Sequence, residues 1–222
     1  MKKRAVIFGD YNTAEHGWTL SGLTLSDPEQ KTNYVEKSGG DGSWDLSTVL
    51  TNGLPIYKNR TLTVNLECSK WNRDKREALI NDLVNLLDGL EWKIVLPDRP
   101  DHYLEGRLHV AVTRSDLSYA AVTVTGVCSP WLYSARETVV ELTDIGPTHQ
   151  ALQLINRGRM AVSPRLATSD DGIVMLAYNG LQTTIKDGVF EWPALLLTPG
   201  YHTVEYWGFG NLTISYREAV LR

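Results

Sequence analysis

A strict two-residue hydrophobic period constrains this chain more than any other feature. Leu62, Val64, Leu66 and Cys68 alternate with Thr61, Thr63, Asn65 and Glu67. Successive side chains of a strand point to opposite faces, so this pattern specifies a strand with one buried and one wet face. Leu108, Val110 and Val112 alternate in the same way with Arg107, His109 and Thr113, and Val122 and Val124 with Thr123 and Thr125. Residues 114–118 between these two runs are polar and suit a hairpin turn. Earlier strands are expected near residues 5–8, 18–25 and 32–37.

One segment breaks the period. Between residues 73 and 87 the apolar positions are Leu79, Ile80, Leu83, Val84, Leu86 and Leu87, and Leu90 extends the stripe. That spacing predicts a helix with one buried face. Asn72 is its expected N-cap, Asp74 and Glu77 suit its positive end, and Gly89 is the expected residue just past its C-terminus. A lone helix of this length is marginal in water, so it must dock on a sheet. Residues 97–102 contain Pro97 and Pro100 and read as a loop between strands.

After residue 134 the helical signal never returns. Short strands are expected at 138–142, 151–156, 173–178, 181–185, 189–192, 203–207 and 212–216. Asn179-Gly180 reads as a two-residue hairpin turn, Lys186-Asp187-Gly188-Val189 as another, and Asp170-Asp171-Gly172 as a turn. Many short strands with closely spaced turns indicate a β-sandwich. The expected architecture is therefore mainly β. Residues 1–134 form a sandwich-like domain with one helix and a hairpin arm, and residues 135–222 a second sandwich. The last strand, near 213–217, is a candidate to return to the first domain.

The chain has 222 residues, a formal charge of −4 and 42% hydrophobic residues. Binding a nucleic-acid duplex requires a basic face that displaces counterions, and the one basic cluster is Lys2-Lys3-Arg4. No apolar run reaches the roughly 20 residues of a membrane span, and residues 5–8 are too short for the apolar core of a signal peptide. Cys68 and Cys128 lack the spacing of a metal or redox motif and are expected to be free, buried thiols.

The polar residues suggest little chemistry. His16, His102, His109, His149 and His202 are scattered, without a Gly-x-Ser-x-Gly elbow. His109 and His202 are assigned to the outward register of their strands. The acid pairs Asp98/Asp101 and Asp170/Asp171 lie at expected loops and turns, which need no catalysis to explain them. Gly39-Gly40-Asp41-Gly42 lacks the Lys-Ser/Thr of a phosphate loop, so it reads as a tight turn using positive φ. Asp41 and Asp45 offer oxygen ligands of the kind calcium takes, but the twelve-residue loop pattern is absent. Trp92, Trp131 and Trp192 read as core residues. Trp207 shares its register with Thr203 and Glu205 and is expected to be exposed, marking an interface or a ligand face. No catalytic residue, cofactor or metal is expected.

The order of motifs resembles the distal tail (Dit) proteins of siphophages. A strand leads into the Gly-Asp-Gly turn at 40–42, followed by Asp45-Leu46. Tyr57…Asn59-Arg60 opens the next strand, the lone helix follows, and Cys128-Ser129-Pro130-Trp131 closes the first half. Leu197–Val204 and Leu212–Arg217 continue the likeness. The resemblance implies a galectin-like fold for the C-terminal sandwich and a non-enzymatic homohexameric ring at the virion tail tip, made in the host cytoplasm. The implied partners are the major tail tube protein, the tail-associated fibre hub protein and a receptor-binding protein. Gly39, Gly40, Asp41, Gly42, Asp45 and Arg60 fall in the implied interface region, and Trp207 joins them on register. The chain departs from the family in having Ser38-Gly39 where Pro-Gly is frequent, and in leaving no room for an inserted carbohydrate-binding module. No His-Asn-Pro-Arg set for galactose is present. The alternative reading is a carbohydrate-binding sandwich module for host-surface attachment. A hydrolase with an accessory sandwich is weaker still.

Overall fold

The computed structural model describes residues 4–116, 118–186 and 188–222, and the side chains of all of these except 169–171. Lys2 and Lys3 of the basic cluster, Leu117 of the 114–118 turn, Asp187 of the second hairpin turn and the carboxylates of Asp170 and Asp171 lie outside that description. The chain divides into two compact units, Met1–Pro130 and Trp131–Arg222.

The first unit comprises β1 (Ile7–Phe8), β2 (Tyr11–Asn12), β3 (Thr19–Leu25), β4 (Tyr34–Glu36), β5 (Ser43–Asp45), β6 (Arg60–Cys68), α1 (Arg73–Leu87), β7 (Glu91–Leu96), β8 (Arg99–Ser115) and β9 (Ala120–Cys128). Seven of these strands form an antiparallel sheet in the order β2-β1-β7-β8-β9-β6-β3. The alternation in β6 is realised as expected: Leu62, Val64, Leu66 and Cys68 are buried, whereas Thr61 and Asn65 are exposed. α1 packs against β8 and buries Ile80, Leu83 and Leu87.

The helix signals are also realised. The Asn72 side chain accepts the Lys75 N–H at 3.1 Å, and Gly89 has φ +74°. Leu90 departs from the expected stripe. The helix stops at Leu87, so Leu90 joins the approach to β7 and is exposed. Arg76 is buried on the helix, where its guanidinium donates to the carbonyls of Trp71 and Asp116. Residues 97–102 are not a loop. Only Pro97-Asp98 turn, and β8 already runs through Pro100. The proline is tolerated because the β7–β8 register shifts between Ile94 and Leu96, so the ladder is irregular where its missing N–H would fall. Cys68 and Cys128 are free and buried, and burial pushes the Cys128 thiol up to about 11.

The second unit comprises β10 (Leu132–Ser134), β11 (Thr138–Ile145), β12 (Gln150–Asn156), β13 (Arg165–Tyr178), β14 (Leu181–Ile185), β15 (Gly188–Glu191), β16 (Gly200–Tyr216) and β17 (Ala219–Val220). β13 and β16 are long and each serves two layers. The first part of β16 lies between β12 and the second part of β13, which also carries β14. The second part of β16 lies between β11 and the first part of β13, which also carries β15. Val174, Leu176 and Val204 from one layer share a core with Leu166, Leu212 and Ile214 from the other. The sheet therefore folds over on itself as a sandwich.

Three sequence expectations change here. The strands at 203–207 and 212–216 are one strand, because Gly208 and Gly210 stay extended at φ +135° and +106° rather than turning the chain. Asp170-Asp171-Gly172 is not a turn but an irregularity inside β13, where the register with β16 shifts between Ser169 and Ile173. The segment 213–217 does not return to the first unit, because Leu212–Tyr216 pairs with β11 and β13. Asn179-Gly180 turns as expected, with φ +49° and +79°.

Candidate functional site

The connection from β3 to β6 is an arm. Beyond Leu25, paired with Leu62, the two chains stay side by side through Ser26–Thr61, Glu29–Lys58 and Lys31–Ile56 backbone hydrogen bonds of 2.8–2.9 Å. Arg60 secures the root. It is only 5% exposed, and its Nε donates to the Ser26 carbonyl at 2.7 Å. It positions the arm instead of offering a surface.

Farther out, β4 and β5 pair as a hairpin that shares no ladder with the main sheet. Cross-strand partners share a face. Val35 and Trp44 lie on one face, with the Lys37 ammonium 4.9 Å from the Trp44 ring centre, and Tyr34, Glu36, Ser43 and Asp45 lie on the other. Gly39 and Gly42 both adopt φ +75°, which closes the tip, and the Lys37 N–H donates to the Gly42 carbonyl at 3.2 Å. Gly40 and Asp41 lie at the exposed tip between them.

At the hairpin base, the Leu46 N–H donates to Asn33 O, the Asn33 N–H to Ser47 Oγ (both 2.8 Å), and the Ser47 N–H to Asp45 Oδ1 (2.9 Å). Hydrogen bonding from the Ser47 side chain, then from its backbone N–H, holds the Asp45 carboxyl below its ordinary range. Asp45 is thus committed to the hairpin. Among the described residues no group of three or more His, Cys, Asp or Glu could hold a metal ion.

The arm is apolar and uncovered. Trp44 is 60% exposed and Leu50 97%, and Tyr34, Val35, Leu46, Val49 and Ile56 are exposed with them. A two-stranded hairpin is marginal in water by itself, and this density of exposed apolar side chains makes the arm the candidate interaction surface of the first unit. The turn and the hairpin arm are legible from the amino-acid sequence. The exposure of Val49 and Leu50 is not, and its one sign is that they match neither strand nor helix periodicity.

The histidines do not converge. His16 stacks on Tyr11 at 4.0 Å, and His109 Nδ1 meets Asp88 Oδ1 at 2.7 Å. The latter pair lines a groove of about 510 Å3 with Thr61, Arg107, Thr125 and Val127. The Val110 N–H, then His109, holds the Asp88 carboxyl below its usual range. His202 is not outward. It shares the register of buried Val204, its Nδ1 lies 2.7 Å from the Tyr178 hydroxyl, and its Nε2 lies 2.7 Å from the Thr198 carbonyl. Trp207 is half-buried on the outer face of β16, under the His149 ring. No described helix is long and apolar enough to cross a membrane.

No family model matches the sequence, and no curated protein matches it. Among solved structures, the Dit protein of phage SPP1 superposes with a TM-score of 0.70 at 15% identity, over 98% of this chain and 99% of that one. This chain has the Dit fold. The SPP1 Dit protein is described as a paradigm of the hub adsorption apparatus in phages that infect Gram-positive bacteria. Chains of the phage p2 baseplate in its activated conformation, with Sr and with Ca, reach TM-scores of 0.47 and 0.49 at 8% identity. They cover 93% and 98% of this chain and 92% and 98% of their own. The SPP1 match, over 98% of the chain, spans both units, including the one that carries the arm.

Proposed function

We propose that this protein is a structural distal tail protein of a siphophage or prophage, acting by assembly and not by catalysis. The observation that carries the reading is the match to the SPP1 Dit fold over 98% of the chain. The motif order along the sequence supports it independently. In this reading the first unit, residues 1–130, forms a hexameric ring that docks the major tail tube protein on one side and the tail-associated fibre hub protein on the other. The second unit, residues 131–222, forms an outward sandwich that can carry a receptor-binding protein. The arm supplies adhesion within the ring: the Val35–Trp44 face of one subunit, with Leu46, Val49 and Leu50, is covered by its neighbour. The tip residues Gly39, Gly40, Asp41 and Gly42 join that contact. The protein is made in the host cytoplasm and ends at the virion tail tip.

Antibodies against the chain, applied to particles from the strain or phage that carries the gene, test this placement. Gold label at the tail end distal to the head is expected. Label along the tube or on the capsid, or particles free of the protein, would refute it.

A further inference from the structure

The outer face of β16 carries exposed aromatic rings that neither the arm nor the core explains. Tyr201, Thr203, Glu205, Trp207 and Phe209 follow one another at every second position and so share one face, opposite buried Val204. Tyr201 is 72% exposed and Phe209 64%. Trp207 is held in place. The His149 ring stacks on it at 3.8 Å and 15°, and the loop leading to His149 is pinned by a 3.0 Å bond from the Gly208 N–H to the Gly146 carbonyl. Register sets Gln153 beside Thr203, Met175 beside Trp207 and Ile173 beside Phe209.

Either an apolar protein surface or a hydroxyl-rich sugar could cover exposed rings. Glu205 decides between them. It lies between Tyr201 and Trp207, and the His149 ring nitrogen approaches its carboxylate only to 4.0 Å. An apolar partner would strip that carboxylate of water without replacing the hydrogen bonds, and the centres of protein interfaces are depleted in charge for this reason. A sugar would lay its C–H face on a ring and donate hydroxyls to Glu205, Thr203 and Gln153. The segments 150–156, 173–178, 181–185 and 200–209 contain no Lys or Arg and no acid other than Glu205. Nothing on these strands would attract a polyanion.

We propose that the outer face of β16 is a stacking platform for a neutral glycan chain lying along the strand. From Tyr201 to Phe209 the platform is about 26 Å long, at about 3.3 Å per residue. The residues differ from those of the arm, so this site can fail while the assembly reading stands.

Affinity electrophoresis of the full chain tests it, in native gels cast with soluble β-1,3-glucan, mannan, galactan or rhamnan, and in parallel with the polyanion polygalacturonate. At least one neutral polymer should retard the protein and the polyanion should not. Tyr201→Ala and Phe209→Ala should each weaken that retardation about tenfold, and Tyr201→Phe should retain it. Unchanged far-ultraviolet circular dichroism would show that the variants are folded. Three results would each overturn the proposal: no retardation by any neutral polymer, equal retardation of wild type and Tyr201→Ala, or retardation by the polyanion alone. Loss of self-association in Tyr201→Ala without any glycan effect would also overturn it, in favour of a protein interface.

Discussion

Gly208 shows how one residue fixes the second unit. A Cβ there would lie 2.2 Å from the Ile173 carbonyl oxygen, at a backbone φ of +135° that other residues rarely adopt. Gly208→Ala should therefore unfold residues 131–222 or sharply lower their melting temperature, which calorimetry would register. The sequence shows the glycine but not the close approach, because the approach depends on the irregularity in β13. Leu83 is simpler. It is fully buried on α1, so Leu83→Ala should cost about 2–5 kcal/mol in chemical denaturation. Its place in the apolar stripe made that burial legible beforehand.

Asp88 gives a pH signature. Its carboxyl lies below the ordinary value in the folded state, so its contribution to stability is fully present above the unfolded carboxyl pKa and fades as pH falls through the folded one. The urea midpoint of Asp88→Asn should fall below that of wild type at neutral pH. The gap should narrow below about pH 4. His202 departs from its expected outward register. Its polarity suggests solvent, whereas Tyr178 and the Thr198 carbonyl satisfy both ring nitrogens from within the fold.

Elements were legible where local chemistry alone decides them. The bounds of α1, its cap and the turn at Gly39–Gly42 all follow from residues within a few positions of one another. Elements depart from the local signal where a distant partner decides. Pro97 and Pro100 suggest a loop until the shifted β7–β8 register removes the demand for the Pro100 N–H. Gly208 and Gly210 suggest a turn until neighbouring strands hold them extended. The arm belongs to both groups: its hairpin is local, but its exposure reflects a surface that lies outside the chain's own core. Trp44→Ala should therefore leave stability within about 0.5 kcal/mol of wild type, since the ring is exposed. It should weaken self-association, which sedimentation velocity would resolve.

At the scale of the whole molecule, the break between Pro130 and Trp131 falls four residues before the boundary expected from the loss of helical pattern. The difference arises because Leu132 and Tyr133 pair with Val220 and Ala219 of the second unit, a contact between sequence-distant residues that composition does not disclose. The second unit has its own continuous core. An isolated 131–222 fragment should thus fold with a cooperative thermal transition and a β-rich circular dichroism spectrum. The exposed arm is proposed to join copies of this chain into a ring. Light scattering of the full chain, coupled to size exclusion and run up to the solubility limit, tests it most directly. The expected mass is near six times 24.9 kDa for wild type, collapsing toward 24.9 kDa for Trp44→Ala. A wild-type mass of 24.9 kDa at every concentration, or an assembly indifferent to Trp44→Ala, would contradict it.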